Sequence, residues 1–465
     1  MADEHARSAL GCYGHDVVQT PVLDRLAASG TRFTQAYTPS PVCVPARAAF
    51  ATGRHVFQTR CWSNAQPYAG QMPGWGHRLM EEGHEVVSIG KLHYRSQEDD
   101  NGFSREIMPL HVRDGVGFIY GLLRDRSDLF DTDHFAQEIG PGDDSYTDYD
   151  RRVCEHAVKW LKEEAPAKRD KPWVLFVSFV RPHYPLTCPK EFYDLYPLDR
   201  VTPPRFAGHE KEFSNPALAA FRKYYDYDDY FDDHTRLVGR ASYYGLCSFV
   251  DDLAGQILGA LEDTGQGKET AVIYTADHGE LIGDHGLWTK MCMYEDSVGI
   301  PMIVSGAGAT AGVSKTPVSL IDIYQTVLEA AGVELTVEDR SLPGRSLYET
   351  AAAPDTDRAV FSEYHDGGAI TGFFMLRHGR WKYVCYPGFA PQLFDLETDP
   401  YEQNDLGNSD THVDVRADCH RRIVEIGDPD QLNEQAFADQ AERIEELGGI
   451  DAILATEAFD FTPVE

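Results

Sequence analysis

Trp173-Val174-Leu175-Phe176-Val177-Ser178-Phe179 decides the fold. A short, continuous apolar run of this kind belongs to a strand covered on both faces, as in a parallel sheet. Working outward, Thr270–Thr275 reads as a second central strand, ending at Ala276-Asp277-His278-Gly279, and Ile300–Ser305 as a third. Upstream, Glu85–Gly90 reads as a strand running into Lys91-Leu92-His93, and Thr31–Tyr37 alternates like a short strand. Helices are expected between them, at Pro21–Gly30, Trp75–Glu82, Tyr149–Glu164, Ala241–Thr264 and from Leu320. This alternation predicts an α/β fold, with a large, mostly parallel sheet flanked by helices on both faces.

Past Pro343-Gly344-Arg345 the texture changes. Short strands at 360–364, 371–377, 380–384 and 392–396, with Gly-bearing turns, predict a smaller C-terminal antiparallel sheet. A polar helical stretch follows from His412. We therefore divide the chain into residues 1–345 and a small α+β part, residues 346–465 with a helical tail. Residues 94–150 read as an irregular insertion, of the kind that carries specificity or covers a site. Residues 223–235 mix aromatics with acids and read as a solvated loop or a rim meeting substrate or a neighbouring subunit. At the start, Asp3 follows only two residues, so most of the strand expected to deliver it is absent and the N-terminus reads as truncated.

The net charge of -33, from 42 basic and 75 acidic residues, argues against nucleic acid as a partner. An anionic substrate would need a locally positive pocket. Mean hydropathy of -0.40 describes a soluble protein. There is no apolar run long enough to span a membrane and no basic-then-apolar leader. Nine scattered cysteines without a C-x-x-C pair point away from a disulfide framework and towards a reducing cytoplasm.

Cys43-Val44-Pro45-Ala46-Arg47 opens a helix-favouring run, Ala48-Ala49-Phe50-Ala51. Pro45 suits the first helical turn, Cys43 the anion-ready N-terminus, and Arg47 lies one turn along the same face. Taken alone, the cysteine could as well be a buried or capping residue. Yet open α/β sheets gather ligands at the carboxyl ends of their strands. Lys91 and His93, His183, Asp277 and His278, and Asp3 all fall at such ends, and Cys43 follows another strand.

The pattern Cys43-x-Pro45-x-Arg47, followed by Ala51-Thr52-Gly53-Arg54, resembles the signature of the formylglycine-dependent sulfatases, members of the alkaline phosphatase superfamily. Gly90-Lys91-Leu92-His93, Arg181-Pro182-His183 and the loop from Asp277 to Lys290 resemble further motifs of that family. The resemblance spans Asp3 to about Asn404. It implies that a maturation enzyme converts Cys43 to 3-oxoalanine (formylglycine), whose hydrate attacks the sulfate. It further implies one divalent cation held by Asp3, Cys43, Asp277 and His278, with Glu4 as ligand or bystander. Arg47 would stabilise the nucleophile, Lys91, His183 and Lys290 would spread the developing charge, and His93 would act as the base that re-forms the aldehyde. Asp284 and His285 would shape the loop.

Glu4 in place of a second aspartate, and His278 after Asp277, resemble the choline-sulfatase and phosphonate-monoesterase branch. Calcium prefers oxygen shells and imidazole suits softer metals, so calcium and manganese both stand. The expected activity is metal-dependent hydrolysis of a small sulfate ester, with a homo-oligomer possible. Phosphonate or phosphate ester hydrolysis by the same residues is the alternative, and a non-catalytic anion-binding protein with unmodified Cys43 is a reading of another class. An acidic rim at Asp228 and Asp229 would suit a cationic alcohol such as choline.

Overall fold

The computed structural model describes residues 1–127, 132–167, 170–207, 213, 215–456 and 462–464. Its principal strands are β1 (Thr31–Phe33), β2 (Val86–Lys91), β3 (Arg105–Leu110), β4 (Val174–Ser178), β5 (Ala271–Thr275), β6 (Met302–Gly306) and β7 (Gly312–Ser314). The C-terminal strands are β8 (Val360–Tyr364), β9 (Phe373–His378), β10 (Trp381–Cys385) and β11 (Gln392–Asp395). The principal helices are α1 (Cys43–Thr52), α2 (Ser145–Glu163), α3 (Asp233–Asp263), α4 (Ile323–Ala330), α5 (Val413–Ile426) and α6 (Pro429–Glu446).

Strands pair in the order β3-β2-β4, all parallel, and β7-β1-β6-β5. Residues 1–3 lie between β4 and β5 and join the two groups, with parallel bridges Ala2–Ala276 and Asp3–Pro182. The sheet is mostly parallel, as its apolar strands predict. β6 is the exception, running antiparallel to β1 and β5. The connection from β5 to β6, residues 276–301, carries only the short helices Asp284–Gly286 and Glu295–Val298, with no long crossover helix of the kind that returns a strand parallel.

Both faces are covered. α2 and α3 lay Val153, Trp160, Leu253 and Leu261 against Val87 and Ile89 on one side. α1 and α4 bring Phe50, Ile323 and Leu328 onto Val86, Met302 and Val304 on the other. The C-terminal sheet is an antiparallel meander, β8-β9-β10-β11, and α5 buries Cys419 and Ile423 against Phe361, Phe374 and Leu393.

Two expectations change. The insertion from residue 94 contributes β3 to the main sheet, pairing Val87 with Arg105 and Ile89 with Ile107; charged Arg105 and Glu106 and the later Pro109 hide it from a periodicity reading. The acidic-aromatic run supplies the start of α3, because Asp232 accepts the Thr235 N–H at 2.7 Å and caps the helix. Among the described residues no helix is long and apolar enough to cross a membrane.

Candidate active site

Cys43 is the first residue of α1, and all ten residues of that helix are buried. The N–H of Val44 donates to Asn64 Oδ1 at 3.0 Å, satisfying one of the groups a helix start leaves free. At the other end Gly53 has φ of 67°, where a side chain would be strained and its Cβ would come within 2.9 Å of Tyr324. The helix is thus fixed at both ends, and Cys43 faces the strand tips.

Four donors meet there. Cys43 Sγ lies 3.6 Å from Asp3 Oδ1 and 3.2 Å from His278 Nε2. His278 Nε2 is 3.7 Å from both Asp3 Oδ1 and Asp277 Oδ1. His278 Nδ1 donates to Gly279 O at 3.2 Å, which leaves the Nε2 lone pair facing the other three. One ligand atom from each of Asp3, Cys43, Asp277 and His278 lies within 4.8 Å of the others, and all four residues are buried. Two carboxylates, an imidazole and position 43, gathered around one point, form a donor set that fits a divalent cation.

Arg47 braces this quartet. Its Nε donates to Asp277 Oδ2 at 2.8 Å and its Nη2 to Asp3 Oδ2 at 3.0 Å, while Nη1 reaches Lys91 O at 2.8 Å and Ser178 Oγ at 3.0 Å. Lys91 Nζ pairs with Asp3 Oδ2 at 2.7 Å. Burial works to raise the Asp3 pKa, but Lys91 and Arg47 overcome it and hold the carboxyl well below its usual range. Burial, reinforced by Asp3, pushes the Cys43 thiol up to about 12.

Glu4 donates its N–H to Asp277 Oδ1 at 3.2 Å, and its carboxylate groups with Asp3 and His183 in a second set of buried ligand atoms within 4.8 Å of one another. The chain turns there with φ of 64°, and Glu4 Oε2 pairs with Lys290 Nζ at 2.7 Å and lies 3.4 Å from His183 Nε2. Burial raises its pKa well above the usual range, against the pull of Lys290. Lys290 Nζ donates to His183 Nε2 at 2.8 Å, and His183 Nδ1 donates to Tyr184 O at 2.6 Å. Burial and then Lys290 keep that imidazole neutral.

His93 reaches none of these partners by a hydrogen bond of its own. Its Nε2 lies 2.9 Å from Thr462 Oγ1, and Tyr146 Oη donates to Thr462 O at 2.7 Å. Burial, then Lys91 and Arg47, hold the ring neutral. Sequence reasoning missed Thr462, since nothing in a polar tail signals a return to the site. It also missed Asp150, whose carboxylate accepts the Val180 and Arg181 N–H groups at 2.9 and 2.7 Å and fixes the turn carrying His183. Glu280 does the same for the Lys290 loop, accepting from Ile282 N and Thr289 N at 2.8 and 2.6 Å. Asp284 shapes that loop as expected, binding Arg240 Nη1 at 2.9 Å and Arg205 N at 2.8 Å.

The acidic rim does not form as imagined. Asp228 is buried, pairing with Arg236 at 3.0 Å and accepting from Trp288 Nε1 at 3.0 Å. Asp229 pairs with Arg222 at 3.2 Å. A carboxylate already neutralised by an arginine has little charge to offer a cationic alcohol.

Residues 1–333 match the family model described as Sulfatase, and residues 283–428 match that of the N-sulphoglucosamine sulphohydrolase C-terminal region. The chain belongs to the sulfatase family. It is 29% identical over 404 residues to a choline-sulfatase of Rhizobium meliloti (strain 1021), covering 85% of this chain and 78% of that relative. It is 30% identical over 448 residues to arylsulfatase K of Danio rerio, covering 89% of this chain and 80% of the other. The fold is shared with a phosphonate monoester hydrolase from Silicibacter pomeroyi, at TM-score 0.72 and 23% identity over 91% of this chain and 93% of that one. BT4656, solved with D-glucosamine-2-N,6-O-disulfate, superposes at TM-score 0.72 and 19% identity over 94% and 97%. The protein is a sulfatase enzyme, and its relatives support hydrolysis of sulfate esters.

Proposed function

We propose that this sulfatase cleaves small sulfate esters with a formylglycine made from Cys43 by a maturation enzyme. In this reading one divalent cation, calcium or manganese, is held by Asp3, Asp277, His278 and position 43. The observation that carries it is the buried convergence of those four donors from three separate segments. The cation would supply Lewis-acid stabilisation of negative charge beside the nucleophile.

The chain's own residues do the rest. Arg47 holds Asp3 and Asp277 in place through hydrogen bonds of 3.0 and 2.8 Å. Lys91, paired with Asp3, and Lys290, paired with Glu4, lie beside the donor set as cations that can take sulfate oxygens and spread the charge of the transition state. Lys290 and His183, 2.8 Å apart, hold a proton within reach of a leaving ester oxygen. His93, kept neutral, is available as the base for product release. Glu4 we read as the counter-ion of Lys290, supported by their 2.7 Å pair.

The test is a panel of aryl sulfate, choline sulfate, aryl phosphonate and aryl phosphate run on protein co-expressed with a maturation enzyme, beside Cys43→Ala. Dominant sulfate turnover, lost in the variant, is the expected result. A dominant phosphonate rate would overturn the substrate class. An intact mass showing unmodified thiol in active protein would overturn the nucleophile.

A further inference from the structure

α1 begins at Cys43 without a side-chain cap of its own. The residue before it, Val42, has no side-chain oxygen, and no capping bond is made there. The acceptor comes from 20 residues further on, where Asn64 Oδ1 takes the Val44 N–H at 3.0 Å.

Asn64 is held in turn by two other parts of the chain. Its N–H donates to Asp366 Oδ2 at 2.7 Å, and its carbonyl accepts the Phe118 N–H at 3.3 Å. Asp366 is buried in the turn after β8, and its Oδ1 accepts the Gly367 N–H at 2.8 Å. Two glycines of the insertion leave room for this junction. A Cβ at Gly117 would collide with Asn64 O, and one at Gly121 with Asp366 Oδ1. The same turn is tied to the insertion by Gly368 N, which donates to Arg124 O at 3.0 Å, and by Arg124 Nε, which donates to Ala369 O at 2.6 Å. Other acids of the C-terminal part grip the run between α1 and Asn64: Phe57 N donates to Glu363 Oε1 at 2.9 Å and Trp62 Nε1 to Asp439 Oδ2 at 2.7 Å. Asp366 is the one bonded to Asn64 itself.

We propose that Asp366 is a positioning residue for the nucleophile. Through the main chain of Asn64 it sets the side chain that caps α1, and so the place from which position 43 meets the substrate. A carboxylate suits the task, because its hydrogen bonds to main-chain N–H groups are shorter and stronger than those of a neutral acceptor. Misplacing a reacting atom by about 1 Å can cost on the order of 100-fold in rate. The C-terminal part of the chain thereby completes the active site without touching substrate. This role rests on the reading of Cys43 as the source of the nucleophile.

The test has two arms, both on the full chain co-expressed with a maturation enzyme. In the first, Asp366→Ala should speed hydrogen exchange at the Val44 amide at least about tenfold, with Phe50 and Ala51 in the same helix within about twofold of wild type. Val44 exchange equal to wild type overturns the proposal. In the second, aryl sulfate turnover per folded molecule is followed in Asp366→Ala, Asn64→Ala and the double variant. Asp366→Ala should lower kcat about 30- to 100-fold with KM within about threefold. In the Asn64→Ala background it should change kcat by less than about twofold, because no cap remains to be placed. The losses in Tm should still add, because residue 64 keeps its N–H. Asp366→Asn, which retains an acceptor oxygen for that N–H, should bring kcat back to within about fivefold of wild type. Losses in kcat that multiply in the double variant, or an Asp366→Ala kcat within about threefold of wild type, overturn the proposal. If Asp366→Ala does not accumulate folded, Gly121→Ala takes its place, crowding Asp366 Oδ1 while leaving the carboxylate. It should lower kcat in the wild-type background and not beside Asn64→Ala, and equal effects in both backgrounds, none included, overturn the proposal. The two readings fail separately: an active Cys43→Ala removes the nucleophile, whereas an unmoved Val44 amide removes the role of Asp366.

Discussion

Two buried charge clusters lie on either side of the loop that delivers Cys43, and they are built differently. In the first, where that loop meets the C-terminal sheet, Glu295 pairs with Arg7 at 2.6 Å and with Lys382 at 3.1 Å. Lys382 also pairs with Glu402 at 2.7 Å, and Arg377 donates to Tyr37 Oη at 3.1 Å. Burial works to raise the Glu295 pKa, but Lys382 and Arg7 bring it down to about 2. Both carboxylate oxygens of Glu295 are matched at close range. In the second, the strand-tip cluster, one ligand atom from each of Cys43, Asp3, Asp277 and His278 lies within 4.8 Å of the others, with His278 Nε2 3.7 Å from both carboxylates. Close, matched pairs belong to a frame. Donors held apart around a point, braced from behind by Arg47, belong to a binding site.

The widest break between the two should come from Cys43→Ala. We expect turnover of an aryl sulfate to fall at least about 1,000-fold with Tm within about 2 °C, because a thiol is a weak hydrogen-bonding group whose loss removes little from the frame. Activity within tenfold of wild type would put the nucleophile elsewhere.

Glu295→Ala should do the converse. Leaving Lys382 and Arg7 without their carboxylate should cost about 3–5 kcal/mol by denaturant unfolding, with kcat per folded molecule unchanged. A drop in kcat larger than the loss of folded protein would make this cluster part of the site after all.

Saturating manganese or calcium should stabilise the wild type by about 3 kcal/mol at a hundredfold excess over Kd, and should leave His278→Ala nearly unmoved. Equal stabilisation of both proteins in thermal scans would remove His278 from the ligand set.

A third pattern is Glu363, in the C-terminal sheet beside the Cys43 loop. It accepts the Phe57 N–H at 2.9 Å, and burial pushes it up to about 8. Below the unfolded carboxyl pKa it is protonated in both states, and its contribution is fully present. As pH rises towards 8 the unfolded chain ionises while the native state keeps the proton, so stability falls by about 1.4 kcal/mol per pH unit in that window. Glu363→Gln should flatten that slope, and denaturant midpoints between pH 6 and 7 would read it.

The smallest effect is expected at Thr462→Val. Losing the 2.9 Å contact to His93 should lower kcat about three- to tenfold and shift the acid limb of its pH profile, with KM little changed. Thr462→Ser should restore both. A Val variant with an unaltered pH profile would reduce Thr462 to packing.

Much of the site was legible in one dimension because its residues occupy strand tips, and a buried strand announces itself. The apolar run through Ser178 marks the tip carrying His183, and Thr270–Thr275 marks the tip carrying Asp277 and His278. What was not legible depends on contacts between distant segments. Glu4 reads by position as ligand or bystander, and its 2.7 Å pair with Lys290 shows only in three dimensions. Asp228 reads as a rim charge, yet it lies inside against Arg236 and Trp288. β3 hides behind its charges and proline, and the antiparallel direction of β6 shows only in its pairing with β1 and β5.

The sequence by itself determined the parallel α/β core, the order of strand tips and the Cys43-x-Pro45-x-Arg47 helix start, because hydrophobic period and turn chemistry act between neighbours. Only the tertiary structure decided which buried carboxylate meets which cation, and that residue 462 returns to His93. Those outcomes turn on distances across the sheet, where a shift of a single strand spacing exchanges one partner for another.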